Sequence, residues 1–215
     1  MTGQGWLQIA VFAALALAVV RPLGDHIARS LDGTSRLARL CGPAERPLYR
    51  LAGVDPGEEQ GWAAYAVALL FFNLAGVAVL YALQLVQHML PFNPQHLDAV
   101  EPTLAFDTAV SFTSNTSWQS YAGETTLGYF VQMAGITVLS FLSAATGIAV
   151  AVALIRGFAR RSARTIGNFW VDVTRITLYV LLPICIVASL FLVWQGVPQT
   201  LAAMSMRPRW KARSR

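Results

Sequence analysis

Charge is what this sequence has least of. Asp, Glu, Lys and Arg make up only 13% of its 215 residues, where a water-soluble domain carries about a quarter. With 55% apolar residues and a mean hydropathy of +0.51, there is too much apolar surface for one small core. The natural solvent for it is lipid. Lysine is nearly missing. Lys211 is the only one, so a phosphate-cradling P-loop cannot form, and no Asp-Lys-Thr-Gly phosphorylation sequence is present. The chain is not expected to hydrolyse ATP itself. Two cysteines, Cys41 and Cys185, make neither a disulfide framework nor a metal site. His88 and His96 have no third ligand at metal spacing. His-Glu-x-x-His and Gly-x-Ser-x-Gly patterns are also missing, which counts against a membrane-embedded enzyme.

Basic residues are missing altogether from Leu51 to Ile155. They fall instead in three blocks, Arg21 to Arg50, Arg156 to Arg175 and Arg207 to Arg215. That gap still holds Asp55, Glu58, Glu59, Asp98, Glu101, Asp107 and Glu124. A basic groove interleaved with aromatics is therefore lacking, and nucleic acid is excluded as a partner. The segregation matches a chain that crosses a bilayer repeatedly, with arginine-bearing segments on the cytoplasmic side.

Crossing about 30 Å of hydrocarbon takes roughly 20 helical residues. The runs Trp62–Val86, Thr126–Ile155 and Ile176–Trp194 qualify. Trp6–Val20 is shorter and has a signal peptide as its competing reading, but no basic residue precedes it and Arg21 follows it. That reverses the charge order of an export signal, so a retained helix is expected. The expected all-α membrane domain, residues 1–201, then comprises helix 6–24, a cytoplasmic loop 25–60, helix 62–86, helix 126–156 and helix 173–195, with the amino terminus outside.

The stretch between the second and third spans is long for a plain loop. Glu101-Pro102 reads as a helix start, with proline at the first helical position and an acid beside the positive dipole end. A half-helix 102–113 is expected, and its Thr103–Phe112 body, about 15 Å long, is too short to span. After it come Ser114, Asn115, Thr116, Ser117, Trp118 and Gln119, a polar run that forms helix poorly. Irregular backbone at membrane depth survives only when buried in protein or lining a watery cavity. The pattern is a membrane–pore–membrane unit of a potassium-channel-like fold. A half-helix carboxyl end and successive carbonyls suit a cation such as potassium. A surface loop packed between helices remains the alternative on composition alone.

The residues Asn93-Pro94-Gln95, Thr108–Phe112 and Asn115–Thr126 resemble the first filter region of the potassium-transporting ATPase A subunit family. The likeness continues through Gln132–Gly135, Phe141–Ala145, Gly147–Val150 and Ala153–Arg156, and includes Arg21–Gly24 and Trp170–Asp172. It runs nearly unbroken from Gln4 to Leu201. The resemblance implies four pseudo-repeated units around one potassium filter, of which Ser114–Gln119 is the first quarter. Backbone oxygens of Ser114, Asn115, Thr116 and Ser117 would ligate potassium, and Gln119 would contribute its amide. No organic cofactor is implied. Implied partners are a P-type ATPase catalytic subunit and small accessory subunits, within the lipid of a bacterial inner membrane. The family commonly has Asn at the positions of Ser117 and Asp107. The basic tail 202–215 departs from the family, and out-of-frame translation over Met204–Arg215 is one expectation for it. A basic tail folded onto lipid headgroups is the other. A noncatalytic scaffold or inactive fragment is the alternative function.

Overall fold

The computed structural model describes residues 2–160 and 164–202. Apart from Ala202, the basic tail lies outside the described residues. The architecture is all-α: α1 (Gly3–Leu31), α2 (Arg36–Ala52), α3 (Trp62–Leu85), α4 (Pro102–Thr113), the single turn α5 (Gly123–Thr126), α6 (Val131–Ala159) and α7 (Phe169–Trp194). One short antiparallel pair, β1 (Gln60–Gly61) and β2 (Thr165–Gly167), is the only sheet among the described residues. Four stretches, Gly3–Leu40, Trp62–Leu85, Val131–Ala159 and Phe169–Trp194, are long and apolar enough to cross a membrane. Their large apolar side chains, among them Phe12, Leu17, Phe71 and Phe158, stand exposed. A lipid environment explains that exposure, and the protein is a multi-pass membrane protein.

The expected loop 25–60 is corrected by the structure. Helix α1 continues to Leu31, and residues 36–52 form a second helix. Arginines and two prolines, Pro43 and Pro47, made this stretch read as loop. It folds because Ser35 caps it, accepting from Ala38 N at 3.0 Å, and Gly53 ends it at φ 64°. Its buried residues Ala38, Glu45 and Tyr49 recur at helical spacing. Two further bounds move. Asn168 starts α7 earlier than residue 173, its Oδ1 accepting from Trp170 N at 3.1 Å. The expected helix 126–156 is broken at Leu127–Gly128, and the Val131–Thr137 start of α6 is π-helical.

The described residues divide into two compact units, residues 2–68 with 145–160 and 164–190, and residues 69–144 with 191–202. The first is held by two buried acids. Asp172, 2% exposed, pairs with Arg156 Nη1 at 2.6 Å. Tyr65 Oη lies 3.2 Å from Asp172 Oδ2 and 3.1 Å from Ala149 O, sharing its hydrogen between them. Arg156 also donates to Ile166 O at 3.3 Å. This arrangement dictates a glycine at 167, whose φ is 111° and where a Cβ would lie 2.1 Å from Arg156 Nη1. Glu45 accepts from Tyr49 Oη at 2.9 Å and from the Tyr179 hydroxyl, and Arg175 Nε faces it at 3.5 Å. Burial, and then the Glu45 hydrogen bond and charge, push the Tyr49 phenol upward. At the β1–β2 pair, Glu59 accepts from Thr165 Oγ1 and from Arg160 at 2.9 Å.

Two predictions follow from these acids. Asp172→Ala leaves the part-buried Arg156 without its counter-charge, and the cost is about 3 kcal/mol. Thermal unfolding in detergent measures it, and adding Arg156→Met restores part of the loss. The Thr165 hydroxyl and then Arg160 hold the Glu59 carboxyl below the usual carboxylate range. A depressed folded value means that Glu59 stabilises above its unfolded value, about 4.3, and that this is lost as pH falls through the folded value. Glu59→Gln is therefore expected to flatten the acid limb of melting temperature against pH, by a small amount because the pair is exposed.

Candidate ion-ligating segment

The second unit is built around α4. Its start is capped by Glu101, whose Oε2 accepts from Leu104 N at 2.8 Å, with Pro102 at the first helical position. Those backbone donors, Leu104 N and then Thr103 N, lower the Glu101 carboxyl below its usual range. Ala105, Ala109 and Phe112 pack with Leu80, Val100, Leu127, Val131 and Leu139 into one apolar cluster. Gln84 ties α3 to α4 by donating to Ala105 O at 2.9 Å.

Above α4 the connecting segments are tied by a buried glutamine. Gln87, 1% exposed, donates to Asp98 O and to Thr126 O at 2.9 Å, and accepts from Gly128 N at 3.1 Å. A single side chain thus joins three stretches distant in sequence. Gln132 adds bonds to Gly123 O at 3.2 Å and Leu127 O at 2.8 Å. The bond to Gly128 N, with Tyr129 N donating to Phe92 O at 3.0 Å, accompanies the helix break at Leu127–Gly128.

Helix α4 ends at Thr113, and Ser114 to Gln119 follow without regular structure. All six residues are exposed. Their N–H groups turn back on the helix end: Ser114 N donates to Val110 O at 2.9 Å, and Thr116 N and Ser117 N donate to Ser111 O at 3.0 and 3.2 Å. Trp118 N donates to Ser111 Oγ at 2.7 Å. Ser111, 8% exposed, therefore gathers three consecutive amides of the run. The carbonyls of Ser114 to Gln119 accept no hydrogen bond among the described residues. Asn115 and Ser117 lie at φ 62° and 55°. Reversing the hand at alternate residues lets neighbouring N–H groups share one target. For a serine this costs about 1–3 kcal/mol, which the surrounding bonds must offset. The Asn115 side chain is held too, accepting from Ser143 Oγ at 3.3 Å.

Each residue expected to line the filter thus lies in one continuous exposed run, with the amides of Ser114, Thr116, Ser117 and Trp118 occupied. Gln119 is tied only weakly, its Nε2 3.4 Å from Tyr121 Oη. Asp107 is exposed on α4. Ser111 was missed by sequence reasoning, although a serine three residues before Ser114 in the last helical turn is a recognisable local hydrogen-bonding signal. Gln87 offered no such signal, since its partners lie 11 to 41 residues away. No group of three or more His, Cys, Asp or Glu that could hold a metal ion occurs among the described residues. The segment also stands at the negative end of the α4 dipole, which favours a cation.

Ser111→Ala removes the acceptor of Trp118 N and is expected to weaken that anchor by about 1 kcal/mol. Hydrogen exchange of the Trp118 amide checks it. An increase of roughly fivefold is expected, with Ser111→Thr close to the parent.

The chain is similar to known proteins. The sequence profile of the family described as "Potassium-transporting ATPase A subunit" matches residues 10–212. Proteins named potassium-transporting ATPase potassium-binding subunit are similar to this chain. That of Mesorhizobium japonicum is 59% identical over 202 residues, covering 94% of this chain and 36% of the relative. Those of Methylobacterium radiotolerans and Rhodospirillum centenum are 59% and 58% identical over 204 residues, with the same coverage. The chain spans about a third of the length of these relatives.

Proposed function

The chain belongs to the potassium-transporting ATPase A subunit family, and we propose that Ser114–Gln119 forms part of its potassium path. The backbone oxygens of Ser114, Asn115, Thr116 and Ser117 replace part of the ion's water shell, and the Gln119 amide lies at the end of that row. The observation that carries the reading is the split in this run, with the N–H groups of Ser114, Thr116, Ser117 and Trp118 engaged by Val110 and Ser111 and the carbonyls accepting nothing among the described residues. Carbonyl dipoles are weak, repeated ligands that suit a monovalent cation which must also leave. The lack of basic residues from Leu51 to Ile155 supports the same reading. Exposed Asp107 adds negative charge on the half-helix, raising local cation concentration.

Transport against a gradient needs energy from a partner. A P-type ATPase catalytic subunit with small accessory subunits fits, because this sequence lacks both a P-loop and an Asp-Lys-Thr-Gly sequence. The distribution of arginines supports an amino terminus outside and residence in a bacterial inner membrane. The exposure of Ser114–Gln119 favours a second reading for the 215-residue chain alone. One row of carbonyls ligates an ion from one side only, so the isolated chain acts as an inactive fragment or scaffold.

Joining residues 1–201 to the remaining two-thirds of a relative, and expressing the product with the partner subunits in a potassium-uptake-deficient bacterium, tests both. The joined protein is expected to restore growth at low potassium, and the 215-residue chain is not. Gln119→Arg in the joined protein is expected to raise the potassium requirement at least about tenfold, equivalent to about 1.4 kcal/mol. Unchanged uptake in that variant overturns the filter assignment.

A further inference from the structure

Helix α2 carries four arginines, Arg36, Arg39, Arg46 and Arg50, all exposed, and one acid, Glu45, which is buried. None of these arginines pairs with an acid among the described residues. At about 3.6 residues per turn, the helix has three faces about 120° apart. Ala38, Glu45 and Tyr49 form the face packed on the protein. Arg39, Arg46 and Arg50 form the second. Leu40, Ala44, Leu48 and Leu51 form the third, and it is bare, with Leu40 78% and Leu51 88% exposed. A surface helix in water carries polar residues on every face it does not pack, so the leucine row needs an apolar neighbour.

The level of α2 identifies that neighbour. Glu45 accepts from the Tyr179 hydroxyl and Arg175 Nε faces it at 3.5 Å. Helix α2 therefore meets α7 where Arg175 gives way to the apolar run Ile176–Trp194. On α1, His26 Nε2 donates to Tyr179 O at 2.8 Å. His26 lies five residues past Arg21, where the apolar run Trp6–Val20 has ended. At about 1.5 Å per residue that is about 8 Å, the thickness of one headgroup layer. Arg175 also donates to Leu31 O. A single guanidinium thus fixes the turn before α2 and the middle of α2 at one level, as a helix lying along the membrane boundary requires.

We propose that α2 is a docking surface for anionic phospholipid. Its leucine row enters the acyl layer of the leaflet it borders, and Arg39, Arg46 and Arg50 bind the phosphates above. An apolar row beside a basic one is the pattern of a helix seated in the interface plane. Charge complementarity selects the acidic headgroup, because each arginine at the surface adds attraction to anionic lipid. The inference rests on the membrane residence of the chain and uses nothing of the filter assignment.

The test places a nitrobenzoxadiazole dye on Leu51→Cys of the 215-residue chain, with Cys41→Ser and Cys185→Ser, in phosphatidylcholine nanodiscs. Quenching is compared for equal mole fractions of phosphatidylglycerol and phosphatidylcholine, each carrying a nitroxide high on one acyl chain. Both are expected to quench, phosphatidylglycerol about fivefold more strongly, and the excess is expected to shrink at high salt. That salt series reads the charge without any substitution of arginine. Arg39→Gln, Arg46→Gln and Arg50→Gln together are expected to make the two lipids equivalent while quenching persists, because the leucine row is kept. An unfolding transition close to the parent's shows that this variant is folded. A dye on Leu17→Cys, exposed on the α1 span, reports any general lipid preference and is expected not to respond to the triple change. Equal quenching by the two lipids at position 51 in the parent overturns the proposal, as does a preference that survives both high salt and the triple change. Quenching by neither lipid overturns it too. Blue-shifted emission then means that a second copy of the chain covers the leucine row, and red-shifted emission that water does.

Discussion

The structure depends on one constraint, the need of an irregular backbone at the end of an apolar helix to satisfy its amides. Water serves that need on a protein surface, but a membrane-embedded segment must find its partners in protein. Ser111 supplies them twice, through its carbonyl to Thr116 and Ser117 and through its hydroxyl to Trp118. Directing three amides to one residue leaves the carbonyls of the same run with no internal partner. The feature on which the proposed cation role of Ser114–Gln119 rests is thus the other half of the arrangement that holds the run in place. The left-handed residues Asn115 and Ser117 belong to the same arrangement. Asparagine tolerates that conformation better than serine, so the strain falls chiefly on Ser117.

Polar side chains do the long-range fastening elsewhere in the second unit. Gln84 and Gln87 are both buried, and each donates to carbonyls brought close only by folding. Such amides serve where helix ends and loops approach one another, because lipid cannot reward the burial of apolar surface as water does. The first unit uses charge for the same purpose. Asp172 with Arg156 and Tyr65, and Glu45 with Arg175, Tyr49 and Tyr179, each place a carboxylate among several donors. A buried ion pair owes its value to those extra bonds, since desolvation offsets much of the attraction between the charges.

Much of α4 was legible in advance. Glu101-Pro102 marks a helix start and the polar run after Phe112 marks its end, both through local backbone chemistry. The run 25–60 misled for an equally local reason. Its prolines and arginines suggest a loop, and only the contacts of Ala38, Glu45 and Tyr49 show that one face is buried. Pro43 and Pro47 sit at exposed positions, where carbonyls lacking a helical donor can turn to solvent.

By itself the sequence determined the all-α membrane character, the spacing of the apolar spans and the position of the polar run, because lipid length and backbone hydrogen bonding act on contiguous residues. Only the tertiary structure decided which groups that run turns back to the helix, which glutamine joins the connecting segments, and which acids meet which arginines. Those pairings span up to 130 residues. No local signal encodes them, since each exists only once helices from opposite ends of the sequence are packed together.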